Sequence, residues 1–427
     1  MKFISVEEAL KKKSGKVAIR GWIYRIRKMK DKIFIVMRDS SDIVQCVLKT
    51  PKLVKEADDL LIESSLELEG TLQSDKRAPN GYELKVSKMN IVHKADDFPI
   101  GKDQSPEFLL DQRHLWLRSR KMVAILKIRS TILEALREHW RKKGFYEYHS
   151  PHLIGMQCEG GSTLFKVDYY GKPVYLTQTW QLHAEPAIFG LEKIFTIQPA
   201  FRAEKSKTSR HLSEMWIAEM EVAWEDFNYI QDDAEEAIKH VVNKVLKENK
   251  KELAILKRDL KKLKPVVEKK FPRLTYDEVL KILEKKKGMK IKWGKDLRTI
   301  EEDKLSELYD VPIIVTHYPK EVKAFYMKED EKNPKVVLGF DMIGPEGYGE
   351  LMGASQREES IKKLVNNLKK QGEDPGKYHF YFDTRKYGSV PHGGYGIGVE
   401  RIISWICGLD SIKDAIAFPR TLQRYIP

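Results

Sequence analysis

The chain has 427 residues, of which 41 % are hydrophobic and 33 % are charged, and its formal net charge is +14. This composition is typical of a globular protein of two to three domains, and it excludes a disordered or low-complexity chain. The positive charge favours a polyanionic partner, because lysine and arginine release counterions from phosphates. A lysine-rich or heat-adapted surface explains the charge equally well.

The cysteines exclude two common kinds of small-domain scaffold. Cys46, Cys158 and Cys407 are widely spaced and form no CxxC or Cys/His pattern, so we expect neither a zinc site nor a disulfide framework. The N-terminus lacks the apolar core of a signal peptide, and no apolar run reaches the length of a membrane span. These features predict a cytoplasmic protein with no membrane segment.

The N-terminal part of the chain is rich in short strand patterns. Such runs, separated by turns, predict a small closed β-barrel, and the OB-fold is the natural candidate in a basic protein. We assign residues 1–97 to this domain. The β-rich runs are Val17–Tyr24, Ile33–Met37, Ile43–Val47, Ser65–Glu69 and Tyr82–Val86.

The rest of the chain reads as a linker and one larger domain. Residues 98–120 are polar, contain prolines and predict a linker or hinge, and residues 121–427 alternate β-rich runs with helices. Apolar residues at helical spacing predict a long helix from Met122 to about Lys143. A helical, lysine-rich segment follows at about 229–310. Within it, Leu246–Lys264 is either an exposed basic helix that contacts RNA or, as we favour, a solvated helix face.

The segment from Phe201 to Glu214 carries the first constellation with chemistry. Its apolar or alternating flanks predict two strands joined by a loop, and residues two apart on a strand share a face, so Arg202 and Glu204 would point into one site. The planar fork of arginine suits an α-phosphate, and Glu204 can accept a hydrogen bond from an adenine amino group. Arg210 and His211 can reach outer phosphates. The alternative is a surface hairpin with ordinary ion pairs.

The segment from Pro391 to Ile403 is the second constellation. Its glycines allow a ligand to approach the backbone closely, and an apolar helix begins at its end, with Arg401 aimed at a γ-phosphate. The spacing is not that of a dinucleotide loop, no strand directly opens the segment, and no GK[ST] follows. A tight strand-to-helix turn is the alternative. A third segment, Gly144–Pro151, predicts a helix leading into a strand that ends in proline.

In this order and spacing, the three segments resemble motifs 1, 2 and 3 of the class II aminoacyl-tRNA synthetases. The small barrel in front of them is similar to the subgroup that charges tRNA with Asp, Asn or Lys, and the resemblance covers the whole chain. It implies an α+β fold, with an OB-fold barrel followed by a catalytic domain whose antiparallel sheet is flanked by helices. It also implies a homodimer with Pro151 at its interface.

The resemblance implies a two-step reaction. The amino-acid carboxylate attacks the α-phosphate of ATP, and the acyl group then passes to the terminal ribose of tRNA, which requires positioning and charge neutralisation above all. Arg202, Arg401 and Glu350 carry the catalytic roles, and Glu350 is the expected Mg²⁺ ligand. The implied ATP-binding residues are Arg202, Glu204, Arg210, His211, Leu212, Glu214, Glu350, Gly398 and Arg401.

Two neighbouring residues bear on the amino acid. Where aspartate-specific members of the family have a lysine, this chain has Ala184, and the next residue, Glu185, is a carboxylate as in asparagine-specific members. A carboxylate accepts a hydrogen bond from an amide NH₂ and repels a second carboxylate, which favours asparagine. Arg385 also resembles the asparagine subgroup. Glu185 could instead simply pair with a nearby cation.

Other residues are implied to hold the amino acid without discriminating. Glu159, in a loop that resembles the one closing over the substrate, and Gln181 hold the α-amino group, and Arg357 donates to the side-chain carbonyl of either asparagine or aspartate. Trp180, His183 and Pro186 depart from the family pattern. Activation of aspartate, a small-molecule ligase that makes asparagine, and a catalytically silent tRNA-binding protein therefore stay open as alternatives, although intact Arg202 and Arg401 argue against the last.

In the barrel, Arg27, Phe34 and Gln45 match the positions of the family's anticodon readers. Phe34 would stack on an unstacked base, and the other two would offer hydrogen bonds to base edges. The alternative is that Phe34 is a core residue of its strand.

Overall fold

The computed structural model of the protein describes residues 1–156, 158, 164–205 and 210–427. They fold into two compact units, Met1–Trp116 and Leu117–Pro427. Among these residues, no helix combines the length and the apolar character that crossing a membrane requires. Cys46, Cys158 and Cys407 are buried and unbridged.

The strands of the first unit close into a barrel in the order β1-β2-β3-β5-β4, as predicted. Strands β3 and β5 pair in parallel and the other neighbours pair antiparallel, and alternate residues fill an apolar core. The longest strands extend well beyond the predicted runs, because bulges at Ile23/Arg25 and Glu69/Gly70 let them curve around the barrel. The strands are β1 (Gly15–Lys28), β2 (Ile33–Arg38), β3 (Ile43–Leu48), β4 (Ser65–Ser74) and β5 (Tyr82–His93).

The first unit also contains short helices that the strand patterns do not reveal. Ser5 caps the first of them, and the Glu8 side chain bonds back to the Ser5 backbone, which satisfies donors at the helix start. Val6 and Ala9 of this helix are buried in the barrel core. The helices are α1 (Val6–Lys12), α2 (Pro51–Glu56), α3 (Pro106–Asp111) and α4 (Arg113–Trp116), the last two within the segment predicted as a linker.

The second unit is built on a large sheet in the order β12-β13-β14-β15-β16-β11-β10-β6, beside a small sheet in the order β7-β9-β8. Neighbours from β13 to β10 are antiparallel, as predicted, whereas β12 and β6 pair in parallel at the two edges. The strands are β6 (Tyr146–Glu147), β7 (Leu153–Ile154), β8 (Lys166–Tyr169), β9 (Lys172–Leu176), β10 (Lys193–Phe201), β11 (Glu214–Ala223), β12 (Arg273–Thr275), β13 (Ile313–Thr316), β14 (Gly339–Gly344), β15 (Gly349–Gln356) and β16 (His392–Gly398).

Helices flank this sheet, which confirms the α+β expectation. The predicted long helix is α5, and its apolar face, including Ile128, Ile132 and Trp140, is buried. The helices are α5 (Arg120–Lys142), α6 (Gln181–Ala184), α7 (Ile188–Leu191), α8 (Phe227–Glu248), α9 (Lys250–Ile255), α10 (Lys264–Glu268), α11 (Tyr276–Lys287), α12 (Thr299–Ser306), α13 (Ile361–Lys370), α14 (His379–Lys386) and α15 (Val399–Cys407).

The lysine-rich segment differs from its prediction. Leu246–Lys264 is not one exposed helix, because α8 ends at Glu248 and α9 ends at Ile255. Leu253 and Leu263 are fully buried, so apolar side chains anchor this stretch while its lysines face outward. The segment 229–310 also contains strand β12 at the edge of the large sheet.

Two details of the predicted motifs also differ. Strand β10 ends at Phe201, so Arg202 and Glu204 lie in the loop that follows it, and strand periodicity does not place them. The glycine-rich run is itself the central strand β16, paired with both β11 and β15. The expectation that no strand directly opens this segment was wrong, because glycine counts against a strand when neighbouring strands are unknown.

Candidate active site

A cavity of about 290 Å³ lies on the face of the large sheet formed by β11, β15 and β16. The glycines of β16 give it depth, because a Cβ at Gly394 would collide with the Glu221 carboxylate, and one at Gly396 would lie 3.1 Å from Glu219 Oε1. The run therefore leaves room for acidic side chains of the neighbouring strand β11. This close approach explains the glycines better than a phosphate loop does.

One end of the cavity gathers most residues assigned to ATP. A narrow cleft is lined by Arg202, Glu204, Arg210, His211, Leu212, Gly398 and Arg401. Glu350 lies alongside, in the main cavity and in a second cavity of about 470 Å³ that Arg210 and Arg401 also line. Glu214 is the exception, since it lies at the start of β11 and bridges to the backbone of Arg420.

The two arginines of this phosphate end differ in how their side chains are bonded. Arg401 lies in the first turn of α15, donates from Nη1 to the backbone carbonyl of Glu350 at 2.7 Å, and stands 3.6 Å from Glu350 Oε2. The Arg202 backbone donates to Ser213 at 2.9 Å, and its side-chain Nε is buried without a hydrogen-bond partner among the described residues. A buried donor of this kind can form a hydrogen bond to an oxygen of a bound ligand.

His211 and Arg210 sit at the rim of the phosphate end. Burial and the nearby arginines lower the pKa of His211, although Glu204, 3.7 Å away, opposes this shift. His211 is therefore neutral at physiological pH and can donate or accept a single hydrogen bond at each ring nitrogen. Arg210 pairs with Asp303 at 3.0 Å.

Carboxylates crowd the wall between these groups. An added Cβ at Gly353 would lie 3.3 Å from Glu350 Oε1 and 3.9 Å from Asp341 Oδ1, so the glycine leaves a gap between two carboxylate oxygens. Burial, then repulsion by Glu350 and Asp341, raises the pKa of Glu302 to about 8. Burial likewise raises the pKa of Asp341 to about 6, although Lys323 opposes it from 2.6 Å. Such an arrangement suits a divalent cation.

The other end of the cavity is a buried ion pair. Arg357 donates from Nε and Nη2 to the two oxygens of Glu221 at 2.9 and 2.7 Å, and from Nη1 to Ser355 Oγ at 2.7 Å. Both side chains line the cavity yet are at most 5 % exposed. Burial raises the pKa of Glu221, although the positive charge of Arg357 opposes this shift. Arg357 itself remains charged. This amino-acid end thus offers a donor and an acceptor side by side.

Glu185, which the sequence assigns to substrate binding, lies behind this pair and is not among the residues that line the cavity. It pairs with Arg385 at 2.5 Å and with His392 at 3.1 Å, so the alternative expectation that it pairs with a cation describes what the structure shows. Arg385 and His392 outweigh burial and hold the pKa of Glu185 well below its usual range. Glu185, Glu221 and His392 come close enough to bind a metal, but guanidinium groups already occupy both carboxylates.

Sequence reasoning missed Glu219 and Glu221. Glu219 accepts hydrogen bonds from Thr179 Oγ1 at 2.5 Å and from the Trp180 backbone at 2.8 Å, which fixes the segment before α6 against the cavity. The available signal was two acidic residues at alternate positions in the otherwise apolar run from Met215 to Ala223, which pairs with a glycine-rich strand. On a buried strand, such a pattern requires partners for both charges.

The remaining assigned residues of this end fall as follows. Gln181 lines the cavity and donates to Glu185 at 2.8 Å. Glu159 lies outside the described residues. The unusual Trp180 is buried and donates to the Tyr148 carbonyl at 3.0 Å, and His183 stacks on Phe380 with ring centroids 5.5 Å apart. Trp180 therefore lines the cavity with its indole N–H already bonded, whereas His183 packs against α14.

In the barrel, Arg27, Phe34 and Gln45 share one groove of about 630 Å³. Arg27 and Phe34 are directly paired across β1 and β2, with the guanidinium 5.4 Å from the ring centroid, and Gln45 donates to Glu83 at 2.9 Å. Phe34 is half-buried and lies outside the apolar core of the barrel. Its ring is therefore accessible to a base, contrary to the core-residue alternative.

Pro151 is exposed in the irregular segment between β6 and β7. Strand β6 is the edge of the large sheet, and Tyr146 on it and Leu153 nearby are 55 % and 43 % exposed. Large apolar side chains at a sheet edge are typical of an interaction surface.

Comparison with known proteins covers both units. Residues 105–422 match the family model of class II tRNA synthetases (D, K and N), and residues 17–92 match that of the OB-fold nucleic acid binding domain. The asparagine–tRNA ligases of Thermoplasma acidophilum and Thermococcus gammatolerans are each 47 % identical to this chain, over 97 % and 96 % of both proteins respectively.

Solved structures agree with these relatives. The asparaginyl-tRNA synthetase of Pyrococcus horikoshii, complexed with asparaginyl-adenylate, superimposes with a TM-score of 0.96 at 44 % identity and covers 100 % of both chains. The Entamoeba histolytica enzyme with the same adenylate gives a TM-score of 0.89 at 31 % identity over 97 % of both. The two-ended cavity thus lies in a fold that matches solved complexes with an aminoacyl-adenylate. The chain belongs to the class II tRNA synthetases of the aspartate, lysine and asparagine group.

Proposed function

We propose that the protein is an asparagine–tRNA ligase that activates L-asparagine with ATP and transfers it to tRNA. The observation that carries this proposal is the buried Glu221–Arg357 pair facing one end of a cavity whose other end holds Arg202 and Arg401. A neutral amide can bind alongside such a pair, because its carbonyl accepts from the guanidinium and its NH₂ donates to the carboxylate. An aspartate side chain would meet the carboxylate of Glu221 and be repelled.

Activation uses the phosphate end. Arg202 donates to the α-phosphate with its otherwise unpartnered Nε, and Arg401 holds the γ-phosphate from the first turn of α15. As the asparagine carboxylate attacks phosphorus, the α-phosphate oxygens gain charge and these preorganised donors stabilise it. Gln181 donates its amide to Glu185, so its carbonyl oxygen is left to accept from the α-ammonium group.

Mg²⁺ fits the gap between Glu350 and Asp341. Both offer hard oxygen ligands there, and the cations Arg401, Lys323 and Arg202 outweigh burial and keep the pKa of Glu350 below its usual range. When bound, the ion supplies neutralisation of the triphosphate charge. Asp341 is held ready by Lys323, which accounts for its orientation without the ion.

The tRNA engages both units. In the barrel groove, Phe34 stacks on an anticodon base while Arg27 and Gln45 bind base edges. The terminal ribose then takes the acyl group from the adenylate at the cavity.

We also propose that a second copy of the chain covers the edge around Pro151 and Tyr146. We further propose that the enzyme acts in the cytoplasm, because its unbridged cysteines suit a reducing environment.

The test is ATP–pyrophosphate exchange with asparagine and aspartate side by side, followed by aminoacylation of tRNA transcripts with asparagine and aspartate anticodons. We expect exchange with asparagine and charging of the asparagine transcript. Exchange with aspartate alone would overturn the substrate assignment. Exchange without any charging would indicate a small-molecule ligase instead.

A further inference from the structure

The carboxylate of Glu185 is saturated by protein donors. Its Oε1 accepts from Gln181 Nε2 at 2.8 Å and from the Tyr381 hydroxyl at 2.9 Å. Its Oε2 accepts from Arg385 Nη2 at 2.5 Å and stands 3.1 Å from His392 Nε2. Two donors bond to Oε1, and Arg385 and the His392 ring both lie within hydrogen-bond distance of Oε2, so the fully buried Glu185 has no site left for a substrate amide.

The charge of Glu185 nevertheless affects the electrostatic potential at the cavity wall. Arg385 contacts Glu185, Glu185 lies 3.9 Å from Arg357 Nε, and Arg357 contacts Glu221, so charges of opposite sign alternate from the interior to the wall. The four side chains are at most 5 % exposed. Water therefore screens these charges poorly, and each influences the binding surface strongly.

Among these four side chains the negative and positive charges are equal in number, and the titratable ring of His392 lies beside them, 3.1 Å from Glu185. Two carboxylates, Glu185 and Glu221, oppose two guanidiniums, Arg357 and Arg385. Loss of the Glu185 charge would leave an excess positive charge directly behind the wall, where it would attract a substrate carboxylate. Loss of the Arg385 charge would leave an excess negative charge, which would repel a carboxylate further.

We propose that Glu185 and Arg385 form a positioning pair that sets amino-acid specificity without touching the substrate. Glu185 neutralises the positive charge behind Arg357 and orients Gln181, and Arg385 keeps Glu185 ionised and fixed through bonds to the Glu358 carbonyl and Thr384 Oγ1 at 3.2 and 2.8 Å. The wall then presents Glu221 and Arg357 as a neutral unit that prefers an amide. This inference rests on the proposed activation of asparagine.

The test is a charge cycle on the full-length enzyme. Glu185→Gln, Arg385→Gln and the double variant are compared with wild type by the ratio of kcat/KM for aspartate to kcat/KM for asparagine in ATP–pyrophosphate exchange. We expect Glu185→Gln to raise the ratio by about 10-fold or more, Arg385→Gln not to raise it, and the double variant to return it to within about 3-fold of wild type. The KM for ATP should stay unchanged in all three.

A matched control is Glu138→Gln, which removes the carboxylate that pairs with Lys244 at 2.7 Å between α5 and α8, away from the cavity. It should leave the ratio unaltered. If Glu185→Gln does not fold, Arg385→Gln and the charge-neutral double variant still differ by one buried charge, and the double variant should show the higher ratio by about 10-fold.

The outcomes separate the two claims. Variants that lose activity equally with both amino acids, at an unchanged ratio, would show a merely structural role and overturn the inference. A double variant whose ratio stays as high as that of Glu185→Gln would do the same. A wild-type enzyme that exchanges with neither amino acid would instead contradict the proposed function.

Discussion

The phosphate end of the cavity, around Arg202 and Arg401, and its amino-acid end, around Glu221 and Arg357, satisfy their polar groups in different ways. Arg202 Nε is buried and has no hydrogen-bond partner in the part of the chain that the structure describes, and the Arg401 side chain is 30 % exposed. Arg357 instead makes three hydrogen bonds to protein groups and is nearly inaccessible. The phosphate end is completed by its ligand, whereas the amino-acid end is complete before the ligand arrives.

This difference separates activity from stability. Side chains that bond only to ATP contribute little to the free energy of unfolding, so their removal should affect catalysis alone. Groups already paired in the interior contribute to both, because breaking a buried pair leaves an uncompensated charge. A preformed amino-acid end also lowers the reorganisation needed on binding and therefore sharpens discrimination.

Arg202→Met should have the largest effect on activity. It removes the donor to the α-phosphate, so we expect a loss of about 1,000-fold in kcat for ATP–pyrophosphate exchange, with unfolding free energy changed by less than about 1 kcal/mol. Steady-state ATP–pyrophosphate exchange measures kcat, and chemical denaturation measures the free energy of unfolding. A variant that loses stability together with activity would contradict the claim that the phosphate end contributes to catalysis alone.

Glu221→Gln should affect both quantities. It leaves Arg357 without its carboxylate, so we expect a loss of about 3 kcal/mol in unfolding free energy and of about 100-fold in kcat/KM for asparagine. The same two assays apply. Full stability with wild-type specificity would show that the buried pair does not organise the amino-acid end.

Phe34→Ala tests whether the barrel groove contributes to tRNA charging separately from the two ends of the cavity. Loss of a stacked base should lower kcat/KM for tRNA charging by about 10-fold and leave ATP–pyrophosphate exchange untouched. Trp22, an exposed aromatic residue of the same barrel outside the groove, supplies the control variant Trp22→Ala. Equal losses in both variants would assign the effect to the barrel fold.

Glu302→Gln should change only the pH dependence of stability. With a pKa of about 8 in the folded state against 4.5 as the ordinary value, Glu302 binds a proton more tightly in the native state, so stability falls as pH rises through this window. Between pH 6 and 8 the wild type should lose about 2 kcal/mol more than the variant, and MgCl₂ should reduce that difference. Parallel pH profiles without MgCl₂ would refute the assignment.

Much of this architecture follows from local sequence patterns. The barrel strands and the helix α5 were predictable, because alternation and helical spacing are local signals, whereas the gathering of Arg202, Glu204 and Arg401 was implied by the resemblance to a known family. The central strand β16 was not, since its glycines disfavour a strand until β11 and β15 enclose it.

The amino-acid end was the least predictable part. Glu221 meets Arg357 across 136 residues and Glu185 meets Arg385 across 200, so only the fold brings these charges together. The sequence indicates that Glu185 matters, but the role of direct ligand assigned to it conflicts with the four protein groups already within hydrogen-bond distance of its oxygens. Chain position does not reveal which of several carboxylates reaches the cavity surface.

The central claim, that a neutral amino-acid end is joined to an incomplete phosphate end, is tested most directly by calorimetry with two non-reactive adenylate analogues. The sulfamoyl adenosines of asparagine and of aspartate share every group except the side-chain terminus. We expect the wild-type protein to bind the asparaginyl analogue with a Kd at least about 100-fold lower. Equal affinities, or tighter binding of the aspartyl analogue, would contradict this account.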